Sequence, residues 1–223
     1  AVGRALRWIV PVAVVAGIAA LIYFTPVFAV RAGDIEVRGL GGWVDRNAVS
    51  EVLSKDVGVP LARLSTKRLE AALEAMPAVE SAEVKRDWPT GLTVTLVPRV
   101  PAAAVLDGDL YVLLDASAEE VAWVEDPPDG LPVIDVPLTE GNRRIVAAVL
   151  TVAGSLPAEL AQQVVSIGAK TEDTVAFKLT RGTEVIWGDS SEPALKAAAV
   201  NVLLNQPGVT QIDVSAPDSP VVR

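Results

Sequence analysis

The sequence predicts an α+β protein in which a single N-terminal transmembrane helix precedes two domains. Three observations predict this class. The run 8–30 carries no charged residue, residues 32–99 follow the order strand–helix–helix–strand–strand, and residues 100–216 combine many short strands with two helices. We expect residues 1–7 to be the remnant of a cytoplasmic tail and residues 217–223 to be a polar C-terminal tail.

The uncharged run predicts a membrane anchor. As a helix rising about 1.5 Å per residue, it is long enough to span a hydrocarbon core of about 30 Å. Trp8, Tyr23 and Phe24 lie towards its ends, where aromatic side chains favour the membrane–water interface. Arg4 and Arg7 precede it, which predicts a cytoplasmic N-terminus and extracytoplasmic domains. A cleaved signal peptide and a buried core helix are alternatives, but the run is long for either.

The first predicted domain places two helices over a three-stranded sheet. Residues 34–38 alternate polar and apolar side chains, as a half-buried strand does. Asp45 and Ser65 are suited to cap the N-termini of the two helices that follow. A second strand then leads into a turn at residues 86–91, and residues 92–97 alternate as its hairpin partner.

The second predicted domain is rich in strands. Two short strands flank the tight turn Asp107-Gly108, and a Pro-rich loop follows through residues 126–130. The remaining predicted elements are a helix at 143–156, strands at 164–167, 174–179 and 184–187, a helix at 192–204, and a last strand at 209–214.

Composition excludes several kinds of chemistry. The chain has no cysteine and no histidine, so it lacks disulfides, thiolate nucleophiles, Ser-His-Asp triads and the commonest zinc ligand. Its net charge of −9 argues against a nucleic-acid surface. No phosphate-binding Gly-rich loop is present. We therefore expect no enzymatic activity, no catalytic residue, no cofactor and no metal.

An acidic stretch is the one feature that invites another interpretation. Residues 100–142 contain ten acids and no Lys or Arg: Asp107, Asp109, Asp115, Glu119, Glu120, Glu125, Asp126, Asp129, Asp135 and Glu140. A glycosidase carboxylate pair or a Ca²⁺ site would use such residues, but aromatic content is low and the EF-hand spacing is absent. A solvated face that repels wrong partners or steers basic ones is the preferred interpretation.

Several short motifs together resemble the FtsQ/DivIB family of bacterial division proteins. They are Ile35-Glu-Val-Arg-Gly39, Gly58-Val-Pro-Leu61, Pro77-Ala-Val79, Ala82-Glu-Val84, Arg86-Asp-Trp-Pro89, Pro98-Arg-Val-Pro-Ala102, Val185-Ile-Trp-Gly188, Lys196 and Ile212-Asp-Val214. The resemblance implies that the first domain is a POTRA domain and the second an FtsQ-type β domain. The Ala- and Val-rich, Cys-free sequence is similar to actinobacterial members.

The resemblance implies a single-pass scaffold of the division septum that helps control septal peptidoglycan synthesis. The last strand would receive a segment of an FtsB-like protein with an FtsL-like protein beside it, through Val209, Thr210, Gln211, Ile212, Asp213, Val214 and Ser215. Other division proteins would bind the POTRA domain. From the residues alone, a last strand at the edge of an antiparallel sheet could pair with a peptide, but an interior strand, or an edge blunted by Asp213 and the prolines beyond it, is the favoured interpretation.

We also predict structural roles for four further residues. Arg86 and Arg99 are expected to tie the POTRA sheet to the following domain, or else to be ordinary exposed strand charges. Trp88 and Pro89 are expected to be packing or edge anchors. Two other functions stay open at this point: a POTRA-containing secretion or chaperone component, and a membrane-anchored cell-wall enzyme.

Overall fold

The computed structural model describes Pro11, residues 13–15, Gly17, Tyr23 and residues 25–223. The chain divides into two compact units, residues 1–99 and 100–223. The mixed α+β class predicted from the sequence is confirmed. The first unit contains β1 (Ile35–Arg38), α1 (Arg46–Ser54), α2 (Thr66–Glu74), β2 (Val79–Asp87) and β3 (Gly91–Pro98).

The first unit is a three-stranded sheet with two helices. Its strand order is β1-β3-β2, with β1 parallel to β3 and β2 antiparallel to β3. Both predicted caps are confirmed: the Asp45 side chain accepts from the Asn47 N–H at 2.8 Å, and the Ser65 hydroxyl accepts from the Arg68 N–H at 3.3 Å. The helices bury their apolar stripes on the sheet, which fixes their orientation. Those stripes include Val49, Leu53, Leu69 and Leu73.

The outer edge of β2 is covered by side chains of α2. The Glu70 carboxylate accepts from the Val84 N–H at 2.9 Å, and the Glu74 carboxylate accepts from the Ala82 N–H at 3.1 Å. An unpaired edge strand offers these donors to any passing strand. The two glutamates therefore satisfy the outward-facing N–H groups of Ala82 and Val84 on this edge.

The predicted transmembrane helix extends to Val30, but the structure shows that residues 26–30 are not α-helical. Pro26–Phe28 forms a 3₁₀ turn, and residues 29–30 are extended rather than helical. The Val30 N–H donates to the Val59 carbonyl at 3.0 Å, and Val30 is only 2% exposed. Pro26 cannot continue a helix, and pairing with residues 58–61 gives the following backbone groups partners. These residues therefore belong to the first unit.

Most of the remaining anchor, including Trp8 and Phe24, lies outside the described residues. Among the residues the structure does describe, no helix has both the length and the apolar character needed to cross a bilayer.

The second unit is built on a nine-stranded mixed sheet. Its elements are β4 (Ala103–Asp107), β5 (Leu110–Leu114), β6 (Glu120–Val124), β7 (Val133–Ile134), α3 (Arg143–Ser155), α4 (Ala158–Ala161), β8 (Val164–Ala169), β9 (Val175–Leu179), β10 (Glu184–Gly188), α5 (Pro193–Leu203), β11 (Gln211–Asp213) and β12 (Val221–Val222). The strand order is β12-β11-β10-β9-β8-β7-β4-β5-β6. Sequence reasoning missed β6, β7, α4 and β12.

The sheet consists of two antiparallel groups joined by a very short strand. Strands β4 to β6 form one meander, and β8 to β10 form another. Between them, the two residues of β7 pair parallel to β4 on one side and to β8 on the other. The hydrophobic core nevertheless continues across both groups, with Val112, Ile134 and Phe177 in one cluster.

Strand β11 pairs parallel to β10, with Val185 opposite Ile212. The expectation of a last strand in an antiparallel sheet is therefore wrong. The physical reason is the connection: α5 crosses over between the two strands, and a helical crossover returns the chain in the same direction.

Candidate functional site

The predicted partner-binding strand has one face anchored in the core. Ile212 and Val214 are fully buried, whereas Gln211 and Asp213 are only half-buried. On its inner side, the Val214 N–H donates to the Ile186 carbonyl at 2.9 Å, and the Thr210 carbonyl accepts from the Glu184 N–H at 3.0 Å. These bonds fix β11 in register beside β10 and leave the backbone groups of Gln211 and Asp213 directed to the other side.

Beyond β11, Ser215 folds back on the strand. Its N–H and hydroxyl donate to the Asp213 carboxylate at 3.0 and 2.7 Å. Before β11, the Val209 carbonyl accepts from the Thr183 hydroxyl at 3.4 Å. The residues that flank the strand are therefore tied locally at both ends.

The outer side of β11 already carries a strand, which the sequence did not predict. Gln211 and Arg223 exchange backbone hydrogen bonds of 3.0 and 2.9 Å, and the Arg223 carbonyl also accepts from the Thr210 N–H at 2.8 Å. Val221 and Val222, expected to be tail residues, pair antiparallel with β11. The only sequence signal for this strand is two consecutive valines after Pro220.

This outer strand is short and exposed. It has two residues, and Val221 and Val222 are 51% and 37% exposed. It therefore contributes backbone hydrogen bonds but little apolar burial, which is the larger source of stability.

A buried cation supports the loop and helix that lead into β11. Lys196 of α5 is 0% exposed, and its ammonium donates to the Asp189 carboxylate at 2.7 Å and to the Asp189 carbonyl at 3.0 Å. The ammonium also lies 5.9 Å from the centre of the Trp187 ring. The bond from Lys196, with further bonds from Ser191, lowers the pKa of Asp189 from its usual 3.8 to about 2. This cluster links the end of β10 to α5.

Arg86 acts inside the first unit. Its guanidinium donates to the Leu61 carbonyl at 2.8 Å and to the Leu64 carbonyl at 2.7 Å, which ties β2 to the loop before α2. The Arg99 N–H donates to the Ala78 carbonyl at 2.9 Å, also within that unit. These contacts give both residues a structural role within the first unit.

Trp88 and Pro89 lie at the turn between β2 and β3. Trp88 is 50% exposed and its ring meets the Phe28 ring edge-on, with centroids 6.0 Å apart. Both residues line an open cleft of about 500 Å³ together with acidic side chains of Asp34, Glu36 and Asp87. Of the predicted membrane-interface residues, Tyr23 is described, and the Arg63 guanidinium lies 5.8 Å from its ring centre.

The acidic stretch forms turns and strand ends. Asp115, which is 8% exposed, accepts from the N–H groups of Ser117 and Glu119 and so shapes the turn between β5 and β6. Within the part of the chain that the structure describes, no three acidic side chains converge in a way that would hold a metal ion.

Comparison with protein families gives two adjacent matches. Residues 30–99 match the model of the FtsQ-type POTRA domain, and residues 103–215 match the C-terminal domain of cell division protein FtsQ/DivIB. The second match favours a division protein over a secretion component.

Similar proteins come from actinobacteria. Cell division protein FtsQ of Mycobacteroides abscessus is 34% identical over 93% of this chain and 65% of its own length. FtsQ of Mycobacterium bovis is 34% identical over 99% of this chain and 69% of its own length. The chain thus spans about two thirds of these relatives. FtsQ of Streptomyces griseus is 31% identical over 79% of this chain and 89% of its own.

A solved structure is also similar, the major extracytoplasmic domain of DivIB from Geobacillus stearothermophilus. It shares 20% identity, with a TM-score of 0.36 over 48% of this chain and 95% of that chain. From the two family matches and the sequence identities, the chain belongs to the FtsQ/DivIB family of bacterial cell division proteins.

Proposed function

We propose that this protein is a non-enzymatic, single-pass membrane scaffold of the division septum. Its N-terminus lies in the cytoplasm, and both units lie outside the cytoplasmic membrane. It binds an FtsB-like partner, with an FtsL-like partner beside it, by strand addition at β11, and so helps to control septal peptidoglycan synthesis. Other division proteins bind the POTRA domain. Family membership supports the division role, and Arg4 and Arg7 support the orientation.

One observation carries the binding mechanism: the outer side of β11 holds an extended segment through backbone hydrogen bonds. Gln211 exchanges two such bonds with Arg223, and the segment that supplies them is exposed. We infer that a partner strand pairs with β11 in place of residues 221–223. A longer partner strand offers more hydrogen bonds and more side-chain burial than the two-residue β12 does.

The membrane anchor favours this binding. If partners are anchored in the same membrane, their extracytoplasmic segments meet β11 at a raised effective concentration. A short strand contact of modest affinity is then sufficient for assembly.

The main test removes one outward-facing donor without changing the inner ladder. Gln211→Pro deletes the N–H that faces β12, while the bonds from β11 to β10 come from Thr210 and Val214. Gln211→Ala is the matched control, because it removes the side-chain bonds to Glu184 and Arg223 but keeps the N–H. We expect Gln211→Pro to weaken binding of an FtsB-like extracytoplasmic peptide about tenfold relative to Gln211→Ala, measured by calorimetry.

A second variant tests displacement of the covering strand. A chain ending at Ser219 lacks β12, so the partner no longer has to displace it, and we expect tighter binding of the same peptide. Equal affinities for Gln211→Pro and Gln211→Ala, with both proteins folded, would rule out pairing at β11. Weaker binding by the shortened chain would show that residues 221–223 assist the partner instead of competing with it.

A further inference from the structure

The other end of the nine-stranded sheet is also an edge. Strand β6 pairs with β5 on one side and is the terminal strand of the sheet. Among the described residues, no hydrogen bond to the backbone of β6 is recorded from any element other than β5. This edge is separate from the one used in the proposed function.

The outward-facing backbone groups of β6 follow from the hairpin before it. The β4–β5 turn has two residues, and Asp107 and Leu110 close it, so that pair exchanges hydrogen bonds. The backbone groups of successive residues in β5 point alternately to β4 and to β6, and those of Val112 point to β4. Trp123, which lies opposite Val112 in β6, therefore makes no backbone hydrogen bond to β5. The N–H and C=O of Trp123 therefore point away from the sheet.

Strand β6 carries few of the features that protect an edge. Its sequence Glu120-Val-Ala-Trp-Val124 contains neither Lys nor Pro. A bulge lies at its start, near Val121, and leaves residues 122–124 regular. Trp123 at the edge is 50% exposed. Apolar surface is thus available beside the free backbone groups.

The charges around β6 indicate which kind of peptide segment can pair with it. Glu119 and Glu120 lie exposed at the start of β6, and Glu125 and Asp126 lie exposed at its end. No Lys or Arg occurs anywhere in residues 100–142. A second copy pairing antiparallel through β6 would bring the acids of one copy opposite those of the other, which is unfavourable. A basic segment meets complementary charge at both ends.

We propose that β6 is a second strand-addition site, and that its occupant is an extended segment of another protein with Lys or Arg on both sides of a short apolar stretch. Main-chain bonds to Trp123 supply affinity, and the acidic residues at the two ends of β6 supply specificity. The protein then offers one receiving edge at each end of the same sheet.

The test uses labelled peptides with the full chain purified in mild detergent. The probes are a fluorescein-labelled peptide KKVTVKK, the acidic counterpart EEVTVEE, and KKVTVKK N-methylated at its threonine so that one backbone donor is lost. Binding is measured by fluorescence anisotropy at physiological salt. We expect KKVTVKK to bind at least about tenfold more tightly than either of the others.

Protein variants assign the site. Trp123→Pro removes the outward donor and the indole, whereas Trp123→Ala removes the indole alone, so we expect the proline variant to bind about tenfold more weakly than the alanine variant. The double substitution Glu120→Lys and Glu125→Lys should remove most of the preference for the basic over the acidic peptide, because Glu119 and Asp126 then neutralise the two lysines. Gln211→Pro, at the other edge, should leave binding unchanged.

Four results would overturn the proposal. They are equal binding of KKVTVKK and its N-methylated form, unchanged preference in the charge-reversed variant, loss of binding in Gln211→Pro, and self-association through β6 seen by sedimentation. If Trp123→Pro does not fold, the N-methylated peptide and the charge-reversed variant still decide the question. Equal binding of the FtsB-like peptide by Gln211→Pro and Gln211→Ala would contradict the proposed function and leave this inference intact.

Discussion

Strands β2 and β6 are both edge strands, but the chain treats them differently. In β2, the carboxylates of Glu70 and Glu74 accept from the outward N–H groups of Val84 and Ala82. In β6, the outward groups of Trp123 have no such recorded partner among the described residues, and the exposed acids lie at the strand ends. The comparison shows that a neighbouring helix can cover an edge by supplying acceptors, whereas acids at the strand ends leave the outward backbone groups of β6 uncovered.

The difference follows from the segment that adjoins each strand in the sequence. Helix α2 leads directly into β2 and packs along it, so its glutamates reach the strand. Strand β6 is followed by a Pro-rich loop, which supplies no continuous row of acceptors. At the opposite end of the large sheet, β11 is covered by main chain from β12, a third arrangement.

The largest effect on stability is expected for Lys196, which belongs to the buried cluster that supports β11. Lys196→Ala removes a fully buried side chain and its two bonds to Asp189. We expect a loss of about 3 kcal/mol in the free energy of unfolding, because a cavity replaces the lysine stem. Urea unfolding measures it. Lys67→Ala on the exposed face of α2 is the control and should change stability by under about 0.5 kcal/mol; similar losses for the two variants would contradict the importance of the buried cation.

Opening the β2 edge should have the next largest effect. The double substitution Glu70→Ala and Glu74→Ala removes both acceptors, and we expect it to cost about 2 kcal/mol. Amide exchange of Ala82 and Val84, followed by NMR, should become faster because their N–H groups lose their partners. Glu80→Ala, on the exposed side of β2, is the control. If exchange at Ala82 and Val84 is unchanged, the glutamates do not close this edge.

Arg86→Ala tests whether Arg86 stabilises the first unit alone. Loss of its two bonds to carbonyls should cost about 1.5 kcal/mol, and hydrogen exchange should accelerate around residues 61–64 but not in the second unit. Lys85→Ala, which removes an exposed pair with Glu83, should have little effect. Accelerated exchange in the second unit would instead support an interdomain role.

Lowering the pH should weaken the contact between Lys196 and Asp189 that supports β11, and this is the smallest of the expected effects on stability. The folded pKa of Asp189 is lowered to about 2, so its stabilising contribution is complete above the unfolded value near 3.8 and declines as the pH falls towards 2. The carboxylate is half exposed, so the contribution should be under about 1 kcal/mol. The stability difference between Asp189→Asn and the parent should therefore be full at pH 6 and clearly smaller near pH 2, measured by urea unfolding. A difference independent of pH would contradict this origin.

The local elements of the first unit were predictable because their signals are local. Asp45 and Ser65 are strong N-caps, and both caps are present. The turn around Trp88 and Pro89 likewise connects β2 to β3 as expected. The side-chain bonds from Glu70 and Glu74 to β2 were not predictable, because they depend on how the helix packs against the strand.

The second unit was harder because its pairing is not local. Strand β6 has β-branched and aromatic residues that could have revealed it, yet it lies beside a polar, Pro-rich loop. The parallel pairing of β11 was predictable from the strand–helix–strand order of β10, α5 and β11. The cover over β11 was not, because Val221 and Val222 alone do not specify a partner.

The two-residue strand β7 is the narrowest backbone junction of the large sheet. Only the four residues from Pro132 to Asp135 carry backbone hydrogen bonds between β4 and β8, whereas the apolar core is continuous across them. Local opening of one group of strands therefore breaks few backbone bonds at this junction, and coupling between the two groups rests mainly on packing. A ligand at β6 should slow amide exchange in β4 to β6 and leave β9 to β11 little changed. Any coupling between the two edges would then pass mainly through side-chain packing in the shared core and little through the backbone ladder.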